Sequence, residues 1–411
     1  MTGADARLTP EQAGLWYEEQ VSDVPSLYTE PTAILIEGPL DAARLRAAAA
    51  AVLGSRPALG AAVRVRAGWP VLADPGGRVD AVLEDLPLPP GAEAADVLRE
   101  RALALWRDGI DPDRGPLAAV RIQRIARDLH GFVLLAHHVV VDGWSTRLLV
   151  RDIARAYASG EAPAAPRHDR APAPPRMPPA RPFAGPAPED PFPAAGAAPR
   201  GASLPPTALP DGVDEAALRF AVTPFTLHMA AFQEALHQVV GVRTFLVGFP
   251  DAGRGRHDGD RVDSMVRMRA VLARVPVGGL RAEHLEEVCE AVFDGLEGPA
   301  LDPATLRAMA QAGQSPPSAV LALDTVPALD LPGCSTRWLP LAPPRARFPL
   351  GFLLFREEHA AGGRTWLVVE YDAARVGDRT ARELADRYAT VLAGLRAQPG
   401  AGTAAGPGGD G

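Results

Sequence analysis

Two adjacent histidines open the segment with the most chemical content, His137-His138-Val139-Val140-Val141-Asp142-Gly143. A neutral imidazole titrates near working pH and can take a proton from an attacking amine or hydroxyl. The apolar run before them, Gly131 to Ala136, has the composition of a buried strand. That strand is expected over Phe132–Val141. Side chains alternate along a strand, so the two histidines point to opposite faces and only one can serve a given pocket. Asp142-Gly143 is a turn signal, and Gly143 admits backbone angles closed to other residues and lets a substrate come close. Asp142 can fix the loop by pairing with a cation, or it can orient an imidazole. Ser145 reads as the cap of a helix whose apolar positions include Leu148, Leu149, Ile153 and Tyr157. A lone histidine in an apolar strand is ordinarily a packed core group. An adjacent pair followed by Asp-Gly and a helix start is harder to assign to packing alone.

The elements that must hold this segment alternate in type. Thr9-Pro10-Glu11-Gln12 is a helix start, with Thr9 as cap, Pro10 in the first turn and Gln12 placed to complete a capping box. Strands are expected at Thr32–Glu37, Ala61–Arg66 and Leu117–Ile125. Helices are expected at Asp41–Leu53, closed by Gly54, and at Ala95–Trp106. The second half repeats the alternation. A helix starts at Thr223-Pro224 and runs to about Val240, and another covers Asp378–Leu395. Strands are expected at Thr244–Gly248, Met268–Val275, Ala319–Leu323, Leu350–Phe355 and Trp366–Tyr371. Two α/β halves result. Sixteen of the 43 prolines lie between Glu161 and Pro210. Proline removes backbone donors, so this segment is expected to be an extended linker or surface loop without a packed core. The expected division is residues 1–160, a joint at 161–210, residues 211–400 and a disordered tail at 401–411.

Composition bounds the function. The 411 residues are 47% hydrophobic and 22% charged, as in globular chains, and the length suggests two domains. A net charge of −8 argues against a nucleic-acid partner, which needs a basic face. No apolar run reaches membrane-spanning length and no signal peptide opens the chain, so a cytoplasmic protein with no membrane partner is expected. Cys289 and Cys334 have no CxxC spacing, and no histidine grouping suggests metal ligation, so no metal is expected. The chain has no lysine, which removes a Schiff-base or P-loop lysine from consideration. Most histidines outside the pair are expected to face solvent. Gly253-Arg254-Gly255-Arg256 reads as a solvated loop that could meet an acidic partner.

The segment 137–143 resembles the HHxxxDG signature of nonribosomal peptide synthetase condensation domains, within the wider chloramphenicol-acetyltransferase-like superfamily. Leu8-Thr9-Pro10-Glu11-Gln12-Ala13-Gly14-Leu15-Trp16 is similar to the opening motif of that family, and Ile36–Asp41 through Arg56–Leu59 to its next block. Gly115-Pro116-Leu117, Thr223-Pro224-Phe225-Thr226 and Val247-Gly248-Phe249-Pro250 also match. Three features depart from it: the proline-rich joint, Arg269 where the family commonly has Asn, and Pro349-Leu350 in place of an Asp-Leu pair.

The resemblance implies an α/β fold of two acetyltransferase-like lobes in a V-shaped pseudo-dimer with a central tunnel. His138 would be catalytic, with Gly143 beside it. His137 and Asp142 would be structural, and Arg274 would pair with Asp142. Trp144, Ser145 and Arg269 would contact substrate. The activity implied is that of a stand-alone condensation enzyme joining a carrier-bound acyl or aminoacyl thioester to a small-molecule amine or alcohol. A carrier protein acting in trans would present the donor on its phosphopantetheine arm, and no intrinsic cofactor is called for. Two rivals use the same residues differently: a coenzyme A-dependent acyltransferase, and an inactive condensation-like module that recruits a partner protein.

Overall fold

The computed structural model describes residues 6–22, 27–73, 79–161, 188–194, 196, 198–357 and 364–398. Its elements begin with β1 (Ala6–Arg7) and α1 (Pro10–Val21). The Thr9 hydroxyl accepts from the Gln12 amide at 3.2 Å, and the Gln12 side chain accepts from the Thr9 amide at 2.9 Å, completing the expected capping box. Next come β2 (Thr29–Glu37), α2 (Ala42–Gly54), α3 (Pro57–Gly60), β3 (Ala62–Arg66), β4 (Trp69–Ala73) and β5 (Asp80–Asp85). They lead to α4 (Ala94–Asp108), β6 (Ala118–Ala126), β7 (Leu129–His137) and α5 (Gly143–Ser159). Then follow β8 (Gly201–Ser203), β9 (Thr207–Ala208), α6 (Val213–Arg219), α7 (Pro224–Val240), β10 (Thr244–Asp251) and β11 (Arg267–Arg274). The chain closes with α8 (Leu285–Glu297), α9 (Pro303–Gln311), β12 (Ala319–Thr325), β13 (Ser335–Leu339), β14 (Leu350–Arg356), β15 (Thr365–Asp372) and α10 (Asp378–Ala397).

Contacts gather these elements into two units. The first is Met1–Arg176 with Ala252–Arg267 and Thr325–Pro344, and the second is Met177–Asp251, Met268–Asp324 and Arg345–Gly411. The main sheet of the first unit has the order β13-β2-β7-β6-β5, with only the β5–β6 pair parallel. Its β7 is buried along almost its whole length between β2 and β6. Ile34, Ile36, Val120, Ile122, Phe132 and Leu134 fill the core around it. A Cβ on Gly131 would come within 2.5 Å of the Leu98 side chain, so α4 needs that glycine to close on β7. β7 ends at His137 rather than at Val141. The Val140 amide bonds to the His137 carbonyl at 3.0 Å, which turns the chain out of the ladder four residues earlier than the apolar run implied.

The second unit holds a sheet ordered β11-β10-β12-β14-β15-β8, with β9 also on β15. α7 and α10 pack together, and Phe232, Phe352 and Tyr388 meet with ring centroids 4.8 and 5.4 Å apart. The proline-rich joint departs from expectation where it is described. Residues 162–187, including Met177 and Phe183, lie outside the described residues, as does the tail from 399. From residue 188 the chain is built into the second unit. β8 pairs with β15 from Gly201↔Asp372 to Ser203↔Glu370, and Phe192, Leu204 and Leu209 are buried. An edge strand uses donors on one side only, and Pro205 and Pro206 fall between two short strands, so they interrupt no ladder. Burying a side chain such as phenylalanine contributes about 1.5–3 kcal/mol, enough to anchor a short edge.

No helix among the described residues is long and apolar enough to cross a membrane, and no three His, Cys, Asp or Glu side chains among them gather as a metal site. Two histidines expected to face solvent are core groups instead. His130 is buried, and burial followed by the nearby Arg124 cation lowers its pKa. His228 on α7 is 2% exposed and its Nδ1 meets the Tyr388 hydroxyl at 2.6 Å. Burial, with the Arg356 cation acting in the same sense, brings the His228 pKa down to about 3.

A histidine depressed in this way stays neutral in the fold while the unfolded chain takes up a proton near the ordinary histidine value of 6.5. Its stabilising contribution is complete above that value and is lost as pH falls toward about 3. The loss approaches about 1.4 kcal/mol per pH unit. Denaturant midpoints should therefore fall between pH 6.5 and 4.5, and His228→Asn should flatten that slope. Equal slopes in both proteins would show that His228 is not its source.

Candidate functional site

The two histidines differ in access, as expected, but His138 lies in the turn beyond the strand, so alternation along β7 does not set its direction. His137, the last residue of β7, is fully buried, and its Nε2 lies 2.7 Å from Glu19 Oε2 on α1. The Val139 amide donates to His137 Nδ1 at 3.1 Å. An Nδ1 that accepts leaves the ring proton on Nε2, which donates it to Glu19. His138 begins the turn. Its amide donates to the Tyr28 carbonyl at 2.7 Å, and the Tyr28 ring meets its imidazole edge-on at 6.4 Å between centroids. Its side chain keeps 16% exposure, with Nε2 4.0 Å from Glu30 Oε1. Its Nδ1 is buried with no hydrogen-bond partner among the described residues. Of the two, His138 is thus the one that solvent or a substrate can reach.

Asp142 closes the segment with three jobs. It is the N-cap of α5, where its Oδ1 accepts from the Ser145 amide at 2.8 Å, so the cap is Asp142 and not Ser145. Its Oδ2 accepts from the Met265 amide at 3.0 Å. Both oxygens also receive Nη2 of Arg254, at 2.8 and 2.9 Å, in a pair whose side chains are 6% and 5% exposed. The partner is therefore Arg254, not the expected Arg274, which ends β11 with an exposed side chain. Arg254 also donates through Nη1 to the Asp258 and Arg261 carbonyls at 3.0 and 2.7 Å, and through Nη2 to the Asp263 carbonyl at 3.2 Å. One guanidinium thus folds the loop 252–267 around itself and ties it to the start of α5. Gly253 makes this possible: its φ is +63°, and a Cβ there would stand 2.0 Å from the Met265 carbonyl oxygen. The Gly-Arg-Gly-Arg stretch is therefore not a solvated loop at Arg254.

The other expected site residues fall as follows. Gly143 is the first residue of α5, so its left-handed freedom goes unused. Ser145 is fully buried, and its hydroxyl donates to the Asp263 carbonyl at 2.7 Å while accepting from the Asp263 amide and Arg254. It is a clasp for the loop rather than a substrate contact, because every bond it can make is already made within the protein. Trp144 is 39% exposed, donates to the Gly259 carbonyl at 2.9 Å, and lies under the guanidinium groups of Arg147 and Arg254. In the second unit Arg269 is 8% exposed, pairs with Asp251 at 3.3 Å and also donates to the Gly298 carbonyl. The sequence reading missed Glu19, Arg254 and Asp263. Burial pushes the Asp263 carboxyl up, while Arg261 at 2.6 Å pulls it down.

Residues 4–170 match the Condensation domain family. Over 157 residues the chain is 34% identical to the probable non-canonical nonribosomal peptide synthetase CymA of Salinispora arenicola, covering 37% of this chain and 2% of that protein. Chondramide synthase cmdD of Chondromyces crocatus is 31% identical over 150 residues, covering 36% of this chain and 4% of the relative. The chain therefore spans only a few per cent of the length of these relatives. The first condensation domain of the CDA synthetase superposes with a TM-score of 0.73 at 20% identity, covering 98% of each chain. SgcC5 from Streptomyces globisporus gives 0.71 at 19%, covering 96% of this chain and 99% of that one. The resemblance to nonribosomal peptide synthetase condensation domains therefore holds, in sequence over the first unit's long segment and in fold over nearly the whole chain. The expected α/β fold is the one observed.

Removing one member of a buried ion pair leaves the other uncompensated and costs about 3–5 kcal/mol. Asp142→Ala and Arg254→Ala should each destabilise the protein on that scale, and the double variant should lose much less than their sum. Arg274→Ala, at an exposed position, should stay within about 0.5 kcal/mol of wild type. Additive losses at Asp142 and Arg254 in denaturant titrations would contradict the pairing.

Proposed function

We propose that this chain catalyses condensation, transferring an acyl or aminoacyl group from a thioester to an amine or hydroxyl. The observation that carries this reading is the contrast between the two imidazoles: His137 is sealed against Glu19, while His138 stays reachable at the start of a hydrogen-bonded turn. The match of residues 4–170 to the Condensation domain family supports it. In the proposed step the nucleophile attacks the thioester carbonyl and passes its proton to the His138 imidazole. The tetrahedral intermediate collapses to an amide or ester, the carbon–sulfur bond breaks, and the thiolate leaves to be protonated. A thioester is already activated, so positioning and a proton acceptor supply most of what the reaction needs.

The relatives are peptide synthetases by name, which supports a carrier-bound donor on a phosphopantetheine arm. A donor on coenzyme A would meet the same imidazole. One structural neighbour supports a second reading. The teicoplanin X-domain, 18% identical with a TM-score of 0.67, was solved in complex with OxyB. The same fold can therefore be found bound to a partner protein, and a recruiting role would need no turnover.

His138→Ala should leave the melting transition in place and lower the single-turnover rate by about 10²–10⁴-fold, the usual contribution of a general base. Acyl carrier protein and acyl-coenzyme A, assayed side by side with amine and alcohol acceptors, would assign the donor. A folded His138→Ala variant at full rate would remove the catalytic role of His138. Absence of turnover with every donor would favour recruitment.

A further inference from the structure

We infer that Glu19 is a positioning residue for His138, acting through His137; the inference rests on the reading of His138 as the catalytic imidazole. Three hydrogen bonds hold the turn that carries His138. The His138 amide donates to the Tyr28 carbonyl at 2.7 Å, the Val140 amide to the His137 carbonyl at 3.0 Å, and the Val139 amide to His137 Nδ1 at 3.1 Å. The first two are backbone pairs that many sequences could make. The third depends on one ring orientation and one tautomer of His137, and Glu19 is what fixes both. Its Oε2 receives the Nε2 proton at 2.7 Å, in a place where the side chains of His137 and Glu19 are 0% and 4% exposed.

Without that carboxylate the Nε2–H would be buried and unpaired, which is costly enough to drive the ring to another orientation or tautomer. Either change withdraws the Nδ1 acceptor from the Val139 amide, and the residue next to His138 is freed. The helix that carries Glu19 is itself anchored. Gln12 lies seven residues earlier, two helical turns away on the same side of α1, and both residues are buried. The Gln12 side chain donates to Asp263 Oδ1 at 2.9 Å, and the Asp263 backbone is clasped by Ser145. α1 therefore grips the His–Asp segment at both ends, through Glu19 at His137 and through Gln12 and Asp263 at Ser145.

The test compares Glu19→Ala, Glu19→Asp and Glu19→Gln in the full chain. Gln keeps an acceptor oxygen at the same reach, Asp draws it back by one carbon, and Ala removes it. We expect Glu19→Ala to lower kcat on the order of 10²-fold, the scale of an ångström-sized misplacement, with KM for donor and acceptor nearly unchanged. Glu19→Asp should fall between, and Glu19→Gln should restore most of the rate. In a His138→Ala background Glu19→Ala should cause no further loss, because its effect passes through that imidazole. Exchange of the Val139 amide should be faster in the Ala and Asp variants and return toward wild type in the Gln variant. This readout requires no turnover.

Rate losses that add to those of His138→Ala, or a change confined to KM, would overturn the inference. Unchanged Val139 exchange in Glu19→Ala would do the same, and in Glu19→Asp if the Ala variant does not fold. If wild type shows no condensation at all, the reading of His138 fails instead, and Val139 exchange still decides whether Glu19 holds the turn.

Discussion

A carboxylate and a guanidinium that are both nearly dry, Asp142 and Arg254, set the conditions under which the candidate site can exist. Taking two such charges out of water is expensive, and their mutual attraction alone seldom gives a net gain. What they secure is geometry. Asp142 must sit at the helix end to accept the Ser145 amide, and Arg254 must sit inside the loop to reach three carbonyls. Each also bonds to backbone of the other's surroundings or its own loop, so the pair joins two sets of contacts at one point. The loop and the start of α5 are therefore tied to one another at the Asp142–Arg254 pair.

The histidines exploit this frame in opposite ways. His137 gives up reactivity by saturating both ring nitrogens, one with Glu19 and one with the Val139 amide. His138 keeps a partly exposed ring, and its Nδ1 has no hydrogen-bond partner among the described residues. What distinguishes it from His137 is access: one imidazole is sealed and the other is open to a reactant.

How legible was this from residues alone? The capping box at Thr9 and Gln12, the central strand leading to His137 (though not its end) and the α5 helix were readable, because cap chemistry and apolar runs act over a few residues. That only one of the two histidines stays accessible also matched the sequence reading, although the turn after His137 and not strand alternation sets the orientation of His138. The cation for Asp142 did not, since Arg254 lies 112 residues away in a Gly-rich stretch whose composition describes an exposed loop equally well. Only the paired glycine signal was present: Gly253 must adopt a left-handed angle against the Met265 carbonyl. Ser145 misled because serine is a good cap in general, while the aspartate three residues before it is the cap in fact. The joint misled through proline content, which rules out central strands but permits the two short edge strands that form.

Arg254 is encoded between β10 and β11, which belong to the second unit, yet it packs with the first, as does the β13 strand that edges the first unit's main sheet. This interleaving limits how such sequences can be shuffled. A genetic crossover within 162–187 would take the helix-capping aspartate from one parent and its arginine from the other. The hybrid would inherit a working first unit only where both parents carry matching loops and matching edge strands. Exchange of whole chains, or crossovers that move 252–267 and 325–344 along with the N-terminal half, escape that incompatibility. The lineage of such a protein should therefore be read from these two inserted stretches together with the histidine segment, and not from either half of the gene alone.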